Sequence, residues 1–124
     1  MPPASSLTVV LVARPGALRD AWRALLLALP RLHDLEQVED APAVLQAVAR
    51  LCPALVVVDA ELLKTDTGPA LSQIRRLSPA TRCVALVGSV DQQQALTAAG
   101  ETVAIPRGAP AAELAAALER ALAG

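Results

Sequence analysis

The clearest buried-strand signal of this chain is the segment Ala54-Leu55-Val56-Val57-Val58-Asp59. It is a short apolar run between Pro53 and an acidic residue, and its length favours a strand over a helix. Apolar residues at successive positions, without polar alternation, are typical of a strand that is buried on both faces. We therefore predict a buried strand of a parallel sheet, covered by helices on both sides and ending at Asp59.

Four more segments along the chain have strand character. Turn residues, glycine or proline lie between them and the neighbouring helices, and three of the four are strongly apolar. Leu32–Val38 is more polar and suits an edge strand, which tolerates polar side chains. The four segments are Leu7–Ala13, Leu32–Val38, Cys83–Val87 and Thr102–Ile105.

Helical spacing of apolar residues is found between the predicted strands. The first helix is apolar on one face and ends at Pro30. Asp40 and Asp91 are predicted to cap the second and fourth helices, and Gly100 is predicted to end the fourth. The five helices start near Ala17, Asp40, Gly68, Asp91 and Ala111.

Strands and helices therefore alternate five times, with connections of a few residues. This pattern predicts an α/β fold, a doubly wound five-stranded parallel sheet flanked by five helices. Leu62–Gly68, which follows the third strand, is predicted to be a structural loop. The chain has 124 residues and is 54% hydrophobic, enough for one core. We predict a single domain over residues 1–124, with its core at about 7–122.

Composition also limits the classes of function. The net charge is −1 and the arginines are scattered, which predicts no direct nucleic-acid binding. No stretch approaches the ~18 apolar residues of a membrane span, and the N-terminus lacks a signal-peptide pattern. We therefore expect a soluble, cytoplasmic domain. Cys52 and Cys83 have no CxxC spacing and no companion histidine, which favours reduced thiols over a metal or redox site.

Functional groups of doubly wound sheets lie at the carboxyl ends of the strands, near the point where the strand order reverses. Four segments of this chain follow predicted strands and carry most of the candidate groups. They are Ala13-Arg14, Asp59-Ala60-Glu61, Val87-Gly88-Ser89 and Ile105-Pro106-Arg107. We expect any site to be built from these segments.

The order of these features resembles the receiver domain of bacterial two-component response regulators, over Thr8–Leu122. The resemblance rests on the five strand–helix units, on Asp59 after the third strand, and on Ser78–Arg82, Ala98–Gly100 and Ala109–Leu114. It implies a flavodoxin-like fold with the strand order 2-1-3-4-5. It also places Asp59 on the phosphoacceptor position. The alternative interpretation is an aspartate that only caps a turn.

The metal-binding positions of the family are not kept. Receivers hold Mg²⁺ with the acceptor aspartate and two acidic residues after the first strand, because hard oxygen ligands suit this ion. Those two positions are Ala13 and Arg14 in this chain. We therefore expect no cofactor and no metal site, with Mg²⁺ binding lost or weak, and we assign no catalytic residue.

The switch positions of the family are also altered. The lysine that ends the fifth strand corresponds to Arg107, whose guanidinium has a different shape. The hydroxyl residue that ends the fourth strand corresponds to Val87, and Ser89 carries the nearest hydroxyl. The aromatic residue of the fifth strand corresponds to Ala104, and the chain has no Tyr or Phe. The hydroxyl–aromatic relay that the resemblance implies is therefore incomplete.

Arg14 carries a hypothesis of its own. At the family's metal position, its guanidinium could reach Asp59 and replace the metal ion by a fixed positive charge. The alternative is an arginine that lies in solvent and pairs weakly.

Three functions remain open at this point. The sequence favours an atypical, non-enzymatic receiver, or pseudo-receiver, that acts in signalling by protein interaction without the usual Mg²⁺-dependent phosphorylation. The second is a receiver that is still phosphorylated on Asp59, with Arg14 and Arg107 as charge partners. The third is a flavodoxin-like domain that binds a small ligand. Against it, Arg14-Pro15-Gly16 offers no glycine-rich phosphate loop.

The resemblance implies protein partners, such as a histidine kinase or a downstream regulator. In receivers, the face formed by the fourth helix, the fifth strand and the fifth helix often makes dimer or partner contacts. Here that face would present Gln92–Gln94 and Arg107, so a homodimer is one expectation. No DNA-binding segment follows the last predicted helix, and the protein either acts alone or belongs to a longer regulator.

Overall fold

The computed structural model describes residues 7–98 and 102–123. Within this part of the chain, five strands form one parallel sheet in the order β2-β1-β3-β4-β5, as the resemblance implies. The strands are β1 (Leu7–Val12), β2 (Leu32–Val38), β3 (Leu55–Asp59), β4 (Arg82–Val87) and β5 (Thr102–Pro106). The chain first moves from β1 to one edge and then from β3 to the other. The strand order therefore reverses between β1 and β3.

The described residues form six α-helices, and the five longer ones are those that the sequence predicts. The helices are α1 (Ala17–Leu27), α2 (Ala41–Leu51), α3 (Ala60–Leu63), α4 (Thr67–Leu77), α5 (Val90–Ala98) and α6 (Ala111–Ala123). The short helix α3 continues into a 3₁₀ turn at Lys64–Asp66. The prediction of a loop at Leu62–Gly68 is therefore wrong, since helical turns occupy most of that segment.

Local hydrogen bonds explain why α3 forms directly after β3. The Asp59 carboxylate accepts the backbone N–H of Glu61 at 3.0 Å, which satisfies an amide that a helix start leaves free. Leu63 is buried in the core, so the turn also gains apolar contact. The Thr67 hydroxyl donates to the carbonyl of Ala60 at 3.4 Å and closes the segment from its other end.

Each face of the sheet has its own apolar core. On one face, Val56 of β3 shares a buried cluster with Val44 of α2 and Ile74 of α4. On the other face, Trp22 of α1 and Leu118 of α6 cover the sheet. Every residue of β3 is buried, so the apolar run that ends at Asp59 is a strand covered on both faces, as predicted.

Of the two predicted helix caps, Asp40 is confirmed and Asp91 is wrong. Asp40 caps α2, since its Oδ1 accepts a first-turn backbone N–H at 2.8 Å. Asp91 does not cap α5, because this helix begins one residue earlier, at Val90. Ser89 is the cap, and its Oγ accepts the backbone N–H of Gln92 at 3.1 Å. Gly100, which was predicted to end this helix, lies outside the described residues.

Exposure of the edge strand and of the thiols agrees with the sequence analysis. β2 is an edge strand, and its polar residues His33 and Asp34 are exposed. Cys52 and Cys83 are free thiols, the first exposed and the second buried. Among the residues that the structure describes, no helix is both long and apolar enough to cross a bilayer.

Candidate functional site

The carboxyl ends of β1, β3 and β5 meet around a cleft of about 390 Å³, called here the Asp59 cleft. It brings together Ala13, Arg14, Asp59 and Arg107, which are four of the residues that the sequence analysis selects. The start of α1, residues of α3 and Lys64 complete its walls. The cleft lies where the strand order reverses, the place where doubly wound sheets bind their ligands.

A second groove of about 490 Å³, the Ser89 groove, opens beside β4 and contains Val87 and Ser89. Glu61 and Arg107 line both spaces and so separate them. The carboxylate of Glu61 lies over Gly88, where an added Cβ would be 2.6 Å from Oε1. Gly88 therefore leaves the room that Glu61 occupies, and any larger residue would force this carboxylate to move.

Asp59 is the polar end of β3, and only 5% of its surface is exposed. One carboxylate oxygen, Oδ1, accepts the backbone N–H of Glu61 at 3.0 Å. The other, Oδ2, accepts an N–H of the Arg107 guanidinium at 3.0 Å. Both oxygens are therefore engaged, and the buried negative charge has a cationic partner. Asp59 is thus a helix cap and an ion-pair member at once.

The sheet itself positions Arg107. This residue directly follows β5, and its backbone N–H donates to the carbonyl of Val87 at 3.0 Å. The bond extends the pairing of β4 with β5 and fixes the backbone of Arg107 at the carboxyl edge, from which its side chain reaches Asp59. The Arg107 side chain is 39% exposed, so solvent weakens the ion pair relative to a fully buried one.

The hypothesis that Arg14 pairs with Asp59 is wrong. Arg14 is exposed and lines the Asp59 cleft, but the arginine within ion-pair distance of Asp59 is Arg107. The physical reason is that Arg107 already compensates the charge of Asp59, while the exposed guanidinium of Arg14 keeps its hydration. In residues 7–98 and 102–123, no carboxylate forms an ion pair with Arg14.

The residues of the cleft do not fit a magnesium site. Ala13 offers a buried methyl group and no oxygen ligand, and Arg14 brings a positive charge to the neighbouring position. The Asp59 oxygens are held by Glu61 and Arg107. No group of three His, Cys, Asp or Glu side chains in the described residues is arranged to hold a metal ion. This donor set is therefore unsuited to Mg²⁺, which prefers several oxygen ligands.

The switch positions also lack mobile polar groups. Val87, the last residue of β4, is buried in the core and has no hydroxyl. Ser89 is exposed, and its hydroxyl caps α5. Ala104 is partly buried on β5, and its carbonyl accepts a hydrogen bond from the Gln93 side chain at 3.1 Å. At Ala104, which the resemblance places on the family's aromatic position, the structure therefore has a methyl group and a backbone carbonyl that is bonded to Gln93.

Two glutamines of α5, which the sequence analysis assigns only to the partner face that the resemblance implies, form hydrogen bonds within the chain. The Oε1 of Gln92 accepts the backbone N–H of Gly88 at 3.0 Å, and Gln93 donates to the carbonyl of Ala104. These bonds fasten the start of α5 to the ends of β4 and β5. The polar run at the first turn of this helix was the available signal, because side-chain amides there can reach free backbone groups.

Comparison with known proteins gives matches among solved structures only. No protein-family model matches the sequence, and no curated protein matches it. A two-component response regulator of the LuxR family from Aurantimonas sp. SI85-9A1 is 25% identical, with a TM-score of 0.81 over 96% of this chain and 86% of that chain. The signal receiver domain of an HD domain-containing protein from Pseudomonas fluorescens Pf-5 is 26% identical, with a TM-score of 0.80 over 97% and 89% of the chains.

A third similar structure is the receiver domain of a sensor histidine kinase from Pseudomonas aeruginosa PAO1, which has a magnesium ion coordinated in its active-site cleft. It is 20% identical, with a TM-score of 0.79 over 96% of this chain and 99% of that chain. The present chain therefore has the receiver-domain fold of two-component response regulators, with the flavodoxin-like strand order predicted from the sequence. This fold is that of a signalling module.

Proposed function

We propose that this chain is a pseudo-receiver, a signalling and protein-interaction module that catalyses no reaction and whose Asp59 is not phosphorylated by the Mg²⁺-dependent route. The observation that carries the proposal is the ion pair of Arg107 with Asp59, together with the Glu61 N–H on the second carboxylate oxygen. A carboxylate that attacks a phosphodonor needs a free oxygen lone pair in line with phosphorus. Here each oxygen already accepts one hydrogen bond at 3.0 Å, one of them from a guanidinium, which withdraws charge from the carboxylate and leaves one acceptor site on each oxygen.

The charge balance of the cleft supports the same function. Phosphoryl transfer requires cations that neutralise the charge developing on the transferred group. Receivers use a metal ion for this purpose, and the positions that would hold it are Ala13 and Arg14 in this chain. Arg107 is already neutralised by Asp59, so this cation is not free for an incoming group.

The elements around the Ser89 groove support a surface that does not switch. The hydrogen bonds of Gln92 and Gln93 hold α5 against β4 and β5. Val87 and Ala104 provide neither a hydroxyl nor a ring that can move between two positions. We infer that a protein partner, such as a histidine kinase, a downstream regulator or a second copy of this chain, recognises one constant surface in the cytoplasm. The module has no direct contact with nucleic acid or membrane.

The direct test is incubation of the full chain with acetyl phosphate, with Mg²⁺ and separately with EDTA, followed by intact-mass spectrometry. The expected result is no mass gain of a phosphoryl group in either buffer. The Asp59→Asn variant serves as the control for modification at other residues. A stoichiometric gain with Mg²⁺ that Asp59→Asn abolishes would contradict the pseudo-receiver function.

One observation favours a second candidate, a receiver phosphorylated on Asp59 with arginine in place of the metal. The guanidinium of Arg107 lies beside the carboxylate, where a cation would assist phosphoryl transfer. This candidate predicts an equal phosphoryl mass gain with Mg²⁺ and with EDTA, and loss of that gain in Arg107→Ala.

A further inference from the structure

The fold gathers arginines that are scattered along the sequence. At the edge of the sheet opposite the Asp59 cleft, called here the amino edge, the parallel strands begin and the helices that connect them end. The last helical turns and the segments that lead into the strands are therefore neighbours there. The arginines of these turns and segments are Arg31, Arg50, Arg75, Arg76, Arg82 and Arg120.

Helix dipoles account for only part of this positive charge. Arg50, Arg75, Arg76 and Arg120 lie in last helical turns, where a cation interacts favourably with the negative end of the helix dipole. Arg31 instead follows α1 and lies outside any helix. It is exposed, and it forms no ion pair with the residues that the structure describes. Its charge therefore needs another explanation.

Arg31 borders an apolar groove at the amino edge, called here the Arg31 groove. Two cavities of about 380 and about 300 Å³ form it, and both are lined by Leu7, Arg31 and Leu122. Leu29 adds apolar surface to the smaller cavity. Glu119 also lines that cavity, but it lies beyond ion-pair distance of Arg31. The groove thus combines an apolar floor with an unpaired cation, which fits a partner segment that presents an apolar side chain beside a carboxylate.

The opposite edge of the sheet presents a segment of this kind at the start of α5. Val90, the first residue of this helix, is 65% exposed, which is unusual for a large apolar side chain. Asp91 follows it, is exposed and forms no ion pair with the described residues. Arg107, a cation that lines the Ser89 groove beside Val90, is already paired with Asp59. The Val90-Asp91 segment therefore carries an exposed apolar group and an unpaired negative charge.

We propose that the Arg31 groove of one copy of this chain binds the Val90-Asp91 segment of a second copy. Val90 contacts the apolar floor of the groove, and Asp91 pairs with Arg31. The two surfaces lie at opposite edges of the sheet, so the contact is head-to-tail. Each pair of copies then keeps one free groove and one free segment, and association continues beyond a dimer.

This inference deepens the proposed function, in which a second copy is one of the partners, and it rests on that function for a surface that does not switch. The hydrogen bonds of Ser89, Gln92 and Gln93 hold the start of α5. The Val90-Asp91 segment is therefore ordered before it binds, which lowers the entropic cost of association. Salt should weaken the contact, because Arg31 and Asp91 are both exposed in the free chain.

The test is sedimentation equilibrium of the full chain from about 10 µM to about 500 µM, at about 50 mM and about 500 mM salt. The expected result is a weight-average mass that rises with concentration past that of a dimer, and that rises less at the higher salt. Arg31→Glu and Asp91→Arg should each weaken the association by about tenfold or more, because each brings like charges together. The double variant Arg31→Glu/Asp91→Arg keeps the net charge and reverses the pair, so it should recover to within about threefold of the original affinity.

Arg23→Glu is the matched control, because it makes the same change of charge at an exposed arginine in the middle of α1. It should change the association by less than about twofold. An equal loss in Arg23→Glu and Arg31→Glu would overturn the inference, because it would indicate repulsion by overall charge. A mass that levels off at that of a dimer would also overturn it, because it would indicate a closed pair.

A chain that stays monomeric at about 500 µM in the lower salt would overturn the inference as well. Retardation of a single-stranded oligonucleotide by this monomer would then assign the arginines of the amino edge to nucleic acid. Each variant is checked for folding by the emission of Trp22, which is fully buried. A monomeric chain without a phosphoryl mass gain contradicts this inference alone, whereas a mass gain on Asp59 in a chain that still associates contradicts the proposed function alone.

Discussion

At the scale of single residues, the central feature is the partner of Asp59, which is an arginine side chain rather than a metal ion. Asp59 ends a buried strand, where an isolated carboxylate would be costly. A metal ion can offset that cost, and so can a guanidinium that also satisfies a carboxylate oxygen. In this chain the guanidinium of Arg107 does so. The same position at the end of β3 therefore supports a structural ion pair, which needs no ligand to be stable.

Replacement of Arg107 by alanine is expected to lower the free energy of unfolding by about 1–2 kcal/mol. The loss is smaller than for a fully buried pair because the guanidinium is 39% exposed. Arg107→Lys keeps a cation and should lose less. Urea unfolding followed by Trp22 fluorescence measures these values, since Trp22 is the only aromatic residue.

Arg23→Ala is the matched control for this prediction, with an expected change within about 0.5 kcal/mol. In an Asp59→Asn background, the effect of Arg107→Ala should shrink, because the charged partner is gone. An Arg107→Ala loss no larger than that of Arg23→Ala would show that the ion pair does not stabilise the fold.

The sequence analysis placed two arginines near Asp59 and assigned the replacement of the metal ion to Arg14, whereas the ion pair is made by Arg107. Arg14 and Arg107 both follow predicted strands, and residue order alone brings both to the same edge of the sheet. The choice between them depends on the short helix after β3. Its Glu61 amide takes one carboxylate oxygen, and the hydrogen bond from the Arg107 backbone to Val87 fixes the other partner. Such contacts between distant segments are not present in any local pattern.

At the scale of secondary-structure elements, the start of α5 is fastened to the sheet by polar side chains, in addition to the burial of Leu96 in the core. Ser89 caps the helix, and Gln92 and Gln93 bond to Gly88 and to Ala104. Removal of these bonds should loosen the helix start while leaving the core intact. In the proposed function this helix maintains the constant surface, and its cap is the simplest place to disturb it.

Ser89→Ala is expected to destabilise the protein by about 1 kcal/mol, because it removes the oxygen that accepts the Gln92 amide. Hydrogen exchange at the Gln92 amide should accelerate in parallel. Ser89→Asp keeps an accepting oxygen and should restore most of the loss. Asp91→Ala, which changes only a first-turn charge, should cost about 0.5 kcal/mol or less. A larger loss of stability in Asp91→Ala than in Ser89→Ala would show that Asp91, the cap predicted from the sequence, is the actual cap.

The sequence predicted the long elements better than their ends. Apolar periodicity runs over many residues, so β3 and the five longer helices were predicted within a few residues. Caps depend on a single residue, and Ser89 and Asp91 are both good caps two positions apart. The segment after Asp59 was predicted as a loop because a four-residue helix has too few turns to show periodicity.

At the scale of the whole molecule, stability rests on two cores that share the central strands. Trp22 and Leu118 cover one face of the sheet, and Val44 and Ile74 cover the other. Cys83 belongs to the second of these cores, and burial raises the pKa of its thiol from 9.0 to about 11. Through this thiol, the free energy of unfolding of the whole fold decreases at alkaline pH.

The free energy of unfolding should fall by roughly 2 kcal/mol between pH 9 and pH 11 through Cys83 alone. Below the pKa of the unfolded thiol, both states are protonated and the full stability is present. Above it, only the unfolded chain loses the proton until the pH reaches the folded value of about 11. Urea unfolding at several pH values measures this slope.

Few other groups titrate in that range, since the chain has one Lys and no Tyr. Cys83→Ala should flatten the slope, and Cys52→Ala serves as the control for removal of an exposed thiol. A slope that survives in Cys83→Ala would assign the alkaline loss of stability to another group.

We propose that the pair of Arg107 with Asp59 takes the place of the phosphoryl group and its metal ion. The most direct measurement is an amide NMR spectrum of the full chain with beryllofluoride, a phosphoryl mimic, before and after addition of Mg²⁺. We expect Mg²⁺ to leave the signals of Glu61, Val87 and Arg107 unchanged. A second set of signals at these residues that appears only with Mg²⁺ would contradict it.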